Sequence, residues 1–220
     1  MTEILYYVLM KYQSKGGLMK FYKKAVIKKF LHELKTPYNS EGRVFHTMEH
    51  IALGLREMSD YSEWHAEHSY TGSEISVNQI YAWLFHDVYY NAQQPALNEE
   101  KSADIACERL KDLKGVDCEI VRQIILDTKD HKATIEESKL VLDVDMVSLG
   151  YQYDVFLKYR KKAWEEYSLF YDERSLKMGT ILFIENTLNH DKLYNLDYFI
   201  DKYEKQAREN LKKYLENLKK

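Results

Sequence analysis

The sequence predicts an all-α fold, on three observations. Apolar residues recur at helical spacing through most of the chain. Only two prolines and eight glycines punctuate 220 residues, fewer than the frequent turns of a sheet protein require. Valine-rich runs with strict apolar–polar alternation are missing. A chain of this length that is 45% hydrophobic can bury one sizeable core or at most two small ones. The expectation is a single helical domain over residues 1–220, with N-terminal helices in 1–36, a central core in 37–150 and C-terminal helices in 151–220.

The elements follow in order. Residues 3–13 read as a short helix ending at the Lys15-Gly16-Gly17 joint. Leu18, Phe21, Tyr22, Ala25, Val26, Phe30 and Leu34 repeat with a helical period, so 18–34 is a helix. Thr36 to Gly42 has the composition of a loop. The next helix is expected from Arg43 to about Asp60, then a polar, histidine-bearing loop over 59–73. Glu74 to Tyr90 is helical, and Pro95 breaks the stretch that follows. Asn98 is placed as the N-cap of a helix over 99–113, whose first-turn glutamates suit the helix dipole. Gly115 interrupts, and 117–130 is helical with Ile120, Val121, Ile124 and Ile125 facing inward. Helices are then expected over 136–149, 151–171, 173–188 and 196–219. The nineteen tyrosines sit at helical spacings and read as amphipathic packing.

Composition narrows the function classes. A net charge of −3 and a pI near 6.3 argue against general affinity for nucleic acid or anionic membrane. Cys107 and Cys118 lack CxxC spacing and match no disulfide framework, which fits a reduced cytoplasm. No apolar run approaches the roughly 20 residues of a membrane span. The opening MTEILYYVLMKY has neither a basic n-region nor a small-residue cleavage site, so a signal peptide is not expected.

Three stretches carry chemistry. Trp83 to Tyr90 sets an adjacent His86-Asp87 pair inside an apolar, aromatic run. A buried imidazole and carboxylate need a partner, either each other or a divalent cation. His46 and His50 are spaced i, i+4, which on a helix directs both to one face. Asp143 and Asp145 lie within an apolar helix and point to different faces, so at most one is a primary ligand. Together the three stretches supply nitrogen and oxygen donors from separate helices. His46-Thr-Met-Glu49-His50 also fits H-x-x-E-H, the inverted zinc-peptidase pattern.

The chain resembles the HD superfamily of metal-dependent phosphohydrolases, and within it a poorly characterised subgroup of HD-domain hydrolases. The resemblance rests on Arg43-x-Phe-His46-x-x-x-His50, Trp83-x-Phe-His86-Asp87-x-x-Tyr90 and Asn98-Glu99-x-x-Ser102-Ala103. It continues through Ile125-x-x-Thr128-x-x-His131, Asp143-x-Asp145-Met-x-x-Leu-Gly150 and Ala207-Arg208-x-Asn210-Leu211. Departures fall at Asn91, where an acidic residue is expected, and at Trp164 and Thr180, where arginines are expected.

The resemblance implies an HD-type helical bundle whose metal-site core is 37–150 and whose ligands are His46, His86, Asp87 and Asp145. Asp145 is preferred to Asp143 because the superfamily ligand follows a small apolar residue, here Val144. Asp87 and Glu99 take the catalytic positions, and Glu99 orients water. His50 and His131 are candidates for a second metal or for phosphate contact, and Arg43 and Lys101 for phosphate charge. The cofactor implied is a divalent metal (Mn, Fe, Mg or Zn), and the substrate a small phosphorylated molecule, with nucleotides the leading class. A catalytically silent nucleotide-binding scaffold and the zinc peptidase are the alternatives. Oligomeric state, including a homo-oligomer, stays open.

Overall fold

The computed structural model describes residues 24–68 and 75–220. The fold is all-α, with no strand among the described residues. The expected helix over 3–13, residues 18–23 of the helix expected over 18–34, residues 69–73 of the expected 59–73 loop and the first residue of the helix expected from Glu74 lie outside them. The chain divides into two compact units, the first ending at Val141 and the second being Leu142–Lys220.

The first unit contains α1 (Lys24–Glu33), α2 (Lys35–Tyr38), α3 (Met48–His68), α4 (Val77–Phe85), α5 (Asn98–Leu110) and α6 (Cys118–Asp127). α7 (Ser138–Met146) begins in it. α4 packs against α3, α5 and α6. It is the most apolar of the unit's described helices, and Tyr81, Ala82, Trp83, Leu84 and Phe85 are all buried. With Tyr38, Met48, Ile51, Met58, Leu110, Ile124 and Ile125 they form the core. Burying large side chains of this kind stabilises by roughly 1.5–3 kcal/mol each before chain entropy is charged.

Capping chemistry explains where several helices begin. Ser76 accepts from the Gln79 amide at 3.2 Å while the Gln79 side chain accepts from the Ser76 amide at 2.8 Å, a capping box that starts α4. Asp117 accepts from the Glu119 and Ile120 amides, which starts α6. Gly42 and Gly115 take positive φ, 88° and 83°, in turns where other residues would be strained.

Several expected boundaries move. The 36–42 loop begins with the short helix α2. α3 starts at Met48 rather than Arg43, because the Thr47 hydroxyl accepts from the Glu49 amide and the Thr47 carbonyl from that of Ile51. α3 also runs through the expected loop to His68, since Ser59 and Tyr61 are buried and Trp64 stacks on His68 at 4.7 Å. α4 ends at Phe85, so His86 and Asp87 lie in the turn after it. Asn98 is the first residue of α5 rather than its cap, and its side chain accepts from the Asn91 amide at 2.8 Å.

The second unit holds the remainder of α7, a 3-10 turn Val147–Gly150, α8 (Tyr153–Tyr167), α9 (Glu173–Leu188), α10 (Asp197–Phe199), a π-helical turn Ile200–Glu204 and α11 (Lys205–Leu218). Phe156, Ile184, Phe199, Tyr203 and Leu211 fill its core. A Cβ at Gly150 would stand 2.6 Å from that of Tyr203, so only glycine permits this close approach. Asn210 donates to the Leu149 and Tyr151 carbonyls at 2.8 and 2.7 Å. Arg208 donates to the Glu204 carboxylate and to the His190 and Asp191 carbonyls. The Ala207-Arg208-x-Asn210-Leu211 pattern is thus spent on holding this unit together.

Candidate metal centre

The centre forms where α3 meets the turn after α4. Trp83 anchors the meeting: its indole N–H donates to the Ile51 carbonyl of α3 at 2.9 Å. Its ring stacks on His86 at 4.5 Å and lies 4.8 Å from that of His50. No residue but glycine fits at position 54, since a Cβ there would overlap the indole. Tyr38 supports the turn from below, donating to the Leu84 carbonyl at 3.0 Å and accepting from the Asp87 amide at 3.3 Å. Arg43 holds it from the side, donating to the Asp87, Val88 and His46 carbonyls at 2.7, 3.1 and 3.1 Å.

His86 is 1% exposed, and its two nitrogens have distinct fates. Nδ1 lies 2.8 Å from the Trp83 carbonyl. A carbonyl only accepts, so Nδ1 carries the proton and a neutral ring leaves a lone pair on Nε2. That Nε2 stands 3.0 Å from Asp87 Oδ2 and 3.3 Å from His50 Nε2. Lone pair facing carboxylate is repulsive unless a second proton or a cation lies between them.

The spacings suit a cation. Ligand atoms about 2.1 Å from a metal are separated by about 3.0 Å at octahedral and about 3.4 Å at tetrahedral angles. His50, His86 and Asp87 offer donor atoms that all lie within 4.8 Å of one another, the only such group of three among the described residues. Two imidazoles and a carboxylate suit Mn, Fe or Zn, and leave positions for water or substrate.

No family model, curated protein or solved structure matches the chain.

His46 precedes α3, so the expected helical i, i+4 relation to His50 is not formed. Its ring packs on Tyr90 at 4.7 Å and stands 6.2 Å from the His50 ring, centroid to centroid. Glu99 is at the start of α5, half-buried, with Oε2 shielded from solvent and without a hydrogen-bond partner. Burial raises its carboxyl above the ordinary range, and the nearby Asp87 carboxylate adds to this, while Lys129 and His131 oppose it. His131 is exposed and takes a positive φ of 50°, uncommon for a residue with a side chain. Lys101 donates to the Tyr89 hydroxyl at 3.1 Å, and that bond lowers the tyrosine below its ordinary value.

The Asn98-Glu99-x-x-Ser102-Ala103 pattern now has a physical content. Asn98 holds the Asn91 amide, and Ser102 accepts from the Tyr89 amide at 3.1 Å. Ala103 is fully buried. The loop after His86-Asp87 is thereby pinned to α5, beside Glu99.

The two aspartates of α7 belong to the second unit and differ. Asp143 accepts from the Asn195 and Leu196 amides at 2.7 and 2.8 Å and from the Asn195 side chain at 2.8 Å. Burial nevertheless pushes its carboxyl up to about 7. Its oxygens are committed to closing the loop before α10. Asp145 is half-buried and lies in the field of Arg160.

Tyr38, expected in the 36–42 loop, is a supporting residue of the centre that the sequence does not reveal. Nothing local in Lys35-Thr-Pro-Tyr38 signals its role, which depends on carbonyl and amide groups more than 40 positions away.

Proposed function

We propose that the chain is a metal-dependent phosphohydrolase of small phosphorylated substrates, nucleotides foremost, as its resemblance to the HD superfamily implies. The observation that carries the reading is the apposition of His86 Nε2, His50 Nε2 and Asp87 Oδ2 in a site where His86 has already committed its other nitrogen. These three residues would hold a divalent cation, which would supply Lewis-acid chemistry toward a phosphoryl oxygen and the attacking water.

The chain's own residues divide the remaining work. Glu99, its carboxyl raised and its Oε2 without a partner, takes the proton of the attacking water, a role served best by a group whose affinity for protons approaches the working pH. His131 and Lys129, whose charges act on Glu99, attract the phosphate. Trp83 excludes water from the protein side of the imidazoles. Arg43 acts as a positioning residue through its carbonyl bonds. The zinc-peptidase alternative has less support, since His46 and His50 do not share a helix.

The test is elemental analysis of protein purified without added metal, beside His50→Ala and His86→Ala variants, followed by a phosphate-release screen over nucleoside mono-, di- and triphosphates. Near-stoichiometric Mn, Fe or Zn that both variants lose, with metal-dependent phosphate release, is the expected result. A wild type that takes up none of these metals on reconstitution refutes the proposal. Stoichiometric metal with tight nucleotide binding and no product would instead establish a silent binding protein.

A further inference from the structure

α9 exposes large apolar side chains among its charged ones. Only Leu176, Ile184 and Thr187 along its length are buried, whereas Met178 is 56% and Leu182 57% exposed. These two are spaced i, i+4 and share one face. Arg174 precedes Met178 by one turn, and Glu185 follows Leu182 by three residues, so the face reads cation, apolar, apolar, anion. Phe183 lies exposed at its edge, and Leu169, Phe170 and Tyr171 are exposed in the turn leading into the helix. Nothing lies within 4 Å of where a Cβ on Gly179 would be, so the backbone itself is open to close approach.

We propose that this face pairs with a second copy of the chain, α9 against α9 in antiparallel orientation, about a two-fold axis near Thr180. The face is self-complementary, as an isologous interface requires. An axis midway between Met178 and Leu182 sets each Met178 opposite the partner copy's position 182, and the reverse. At 1.5 Å per residue, Arg174 lies about 9 Å on one side of the axis and Glu185 about 7.5 Å on the other. The two-fold therefore brings the cation of one copy to within about a third of a turn of the anion of the next. A parallel, in-register pair would set like charges against each other, which is unfavourable. Glu185 already pairs with Lys219 of its own chain at 2.7 Å, and Arg174 of the other copy would join that pair. Exposed ion pairs contribute little affinity, so the charges fix direction and register while the apolar centre supplies the attraction.

The experiment is sedimentation velocity of the full chain over a range of concentrations. Wild type is expected to dimerise reversibly. Leu182→Glu and Met178→Glu should each raise the dimer dissociation constant at least about tenfold, as loss of a central apolar contact does, with unchanged circular dichroism because both side chains are exposed. Arg174→Glu should weaken association, and the double variant Arg174→Glu with Glu185→Arg should restore it. A monomeric wild type overturns the proposal, and so does a dimer that tolerates both glutamate substitutions. Failure of the charge swap to restore association overturns the antiparallel register.

Discussion

Substituting Gly54 by alanine tests the architecture of the centre without touching a donor atom. On an exposed helix the change would stabilise by about 1 kcal/mol, since alanine favours the helical backbone. In this chain the added Cβ would overlap the Trp83 indole, standing 2.7 Å from Nε1 and closer still to two ring carbons. Overpacking of this kind costs about 1–3 kcal/mol. Turning the indole away also forfeits its bond to the Ile51 carbonyl, a further loss of about 1 kcal/mol. The balance is a net destabilisation of roughly 1–3 kcal/mol, or about 4–8 °C in Tm for a 2 kcal/mol change in a chain of this size. Because Trp83 also positions both imidazoles, affinity for Mn or Zn should fall about 10–100-fold, the range for outer-shell partners. Thermal melts and metal titrations of wild type and variant provide the assay. A Gly54→Ala protein as stable as wild type, with unchanged metal affinity, would refute the packing argument.

Three further outcomes are expected. Tyr38→Phe removes a hydroxyl that bridges the Leu84 carbonyl and the Asp87 amide; it should cost about 1–3 kcal/mol in urea unfolding and weaken metal binding with no change at the ligands. Glu99→Gln should reduce metal-dependent phosphate release by about 10²–10⁴-fold and remove the fall in rate on the acid side, where the raised carboxyl of wild type takes up its proton. The same variant should not destabilise the metal-free protein at neutral pH, because it replaces a carboxylate whose charge burial disfavours. Asp143 is pushed up to about 7 from an ordinary 3.8, so between these values the folded chain holds more protons than the unfolded one. Stability should therefore fall as pH rises from 4 towards 7, by up to about 1.4 kcal/mol per pH unit from this group. That slope should shrink in Asp143→Asn, as measured by urea midpoints from pH 5 to 8.

The helical class and most of its segments were legible because the apolar spacing is strong, as in Tyr81 to Phe85 and Val121 to Ile125. Boundaries were less so where a tertiary bond competes with local preference. Arg43 to Thr47 has no helix breaker, yet it stays outside α3 with Arg43 bonded to carbonyls some 44 positions away. The polar 59–68 stretch reads as a loop, yet its helix is kept by buried Ser59 and Tyr61. At the site, His86-Asp87 was visible as a polar pair in an apolar run. His50 was visible through its i, i+4 spacing to His46, but the HD resemblance gives the ligand position to His46 and leaves His50 a subsidiary role. The division of labour between Asp143 and Asp145 depends on Asn195 and Leu196, more than fifty residues away.

The bonds from Trp83, Tyr38 and Arg43 have a consequence for how an ion would arrive. A site whose donors are held by packed aromatic rings and backbone carbonyls is preorganised, so little chain entropy remains to be lost on loading. Such a centre differs from a zinc finger, in which metal binding and folding are one event. A chelator would empty it and leave the helices standing, and the heat capacity of metal binding would be small because little apolar surface changes hands. Cation exchange would then be governed by the supply of metal around the protein rather than by unfolding and refolding.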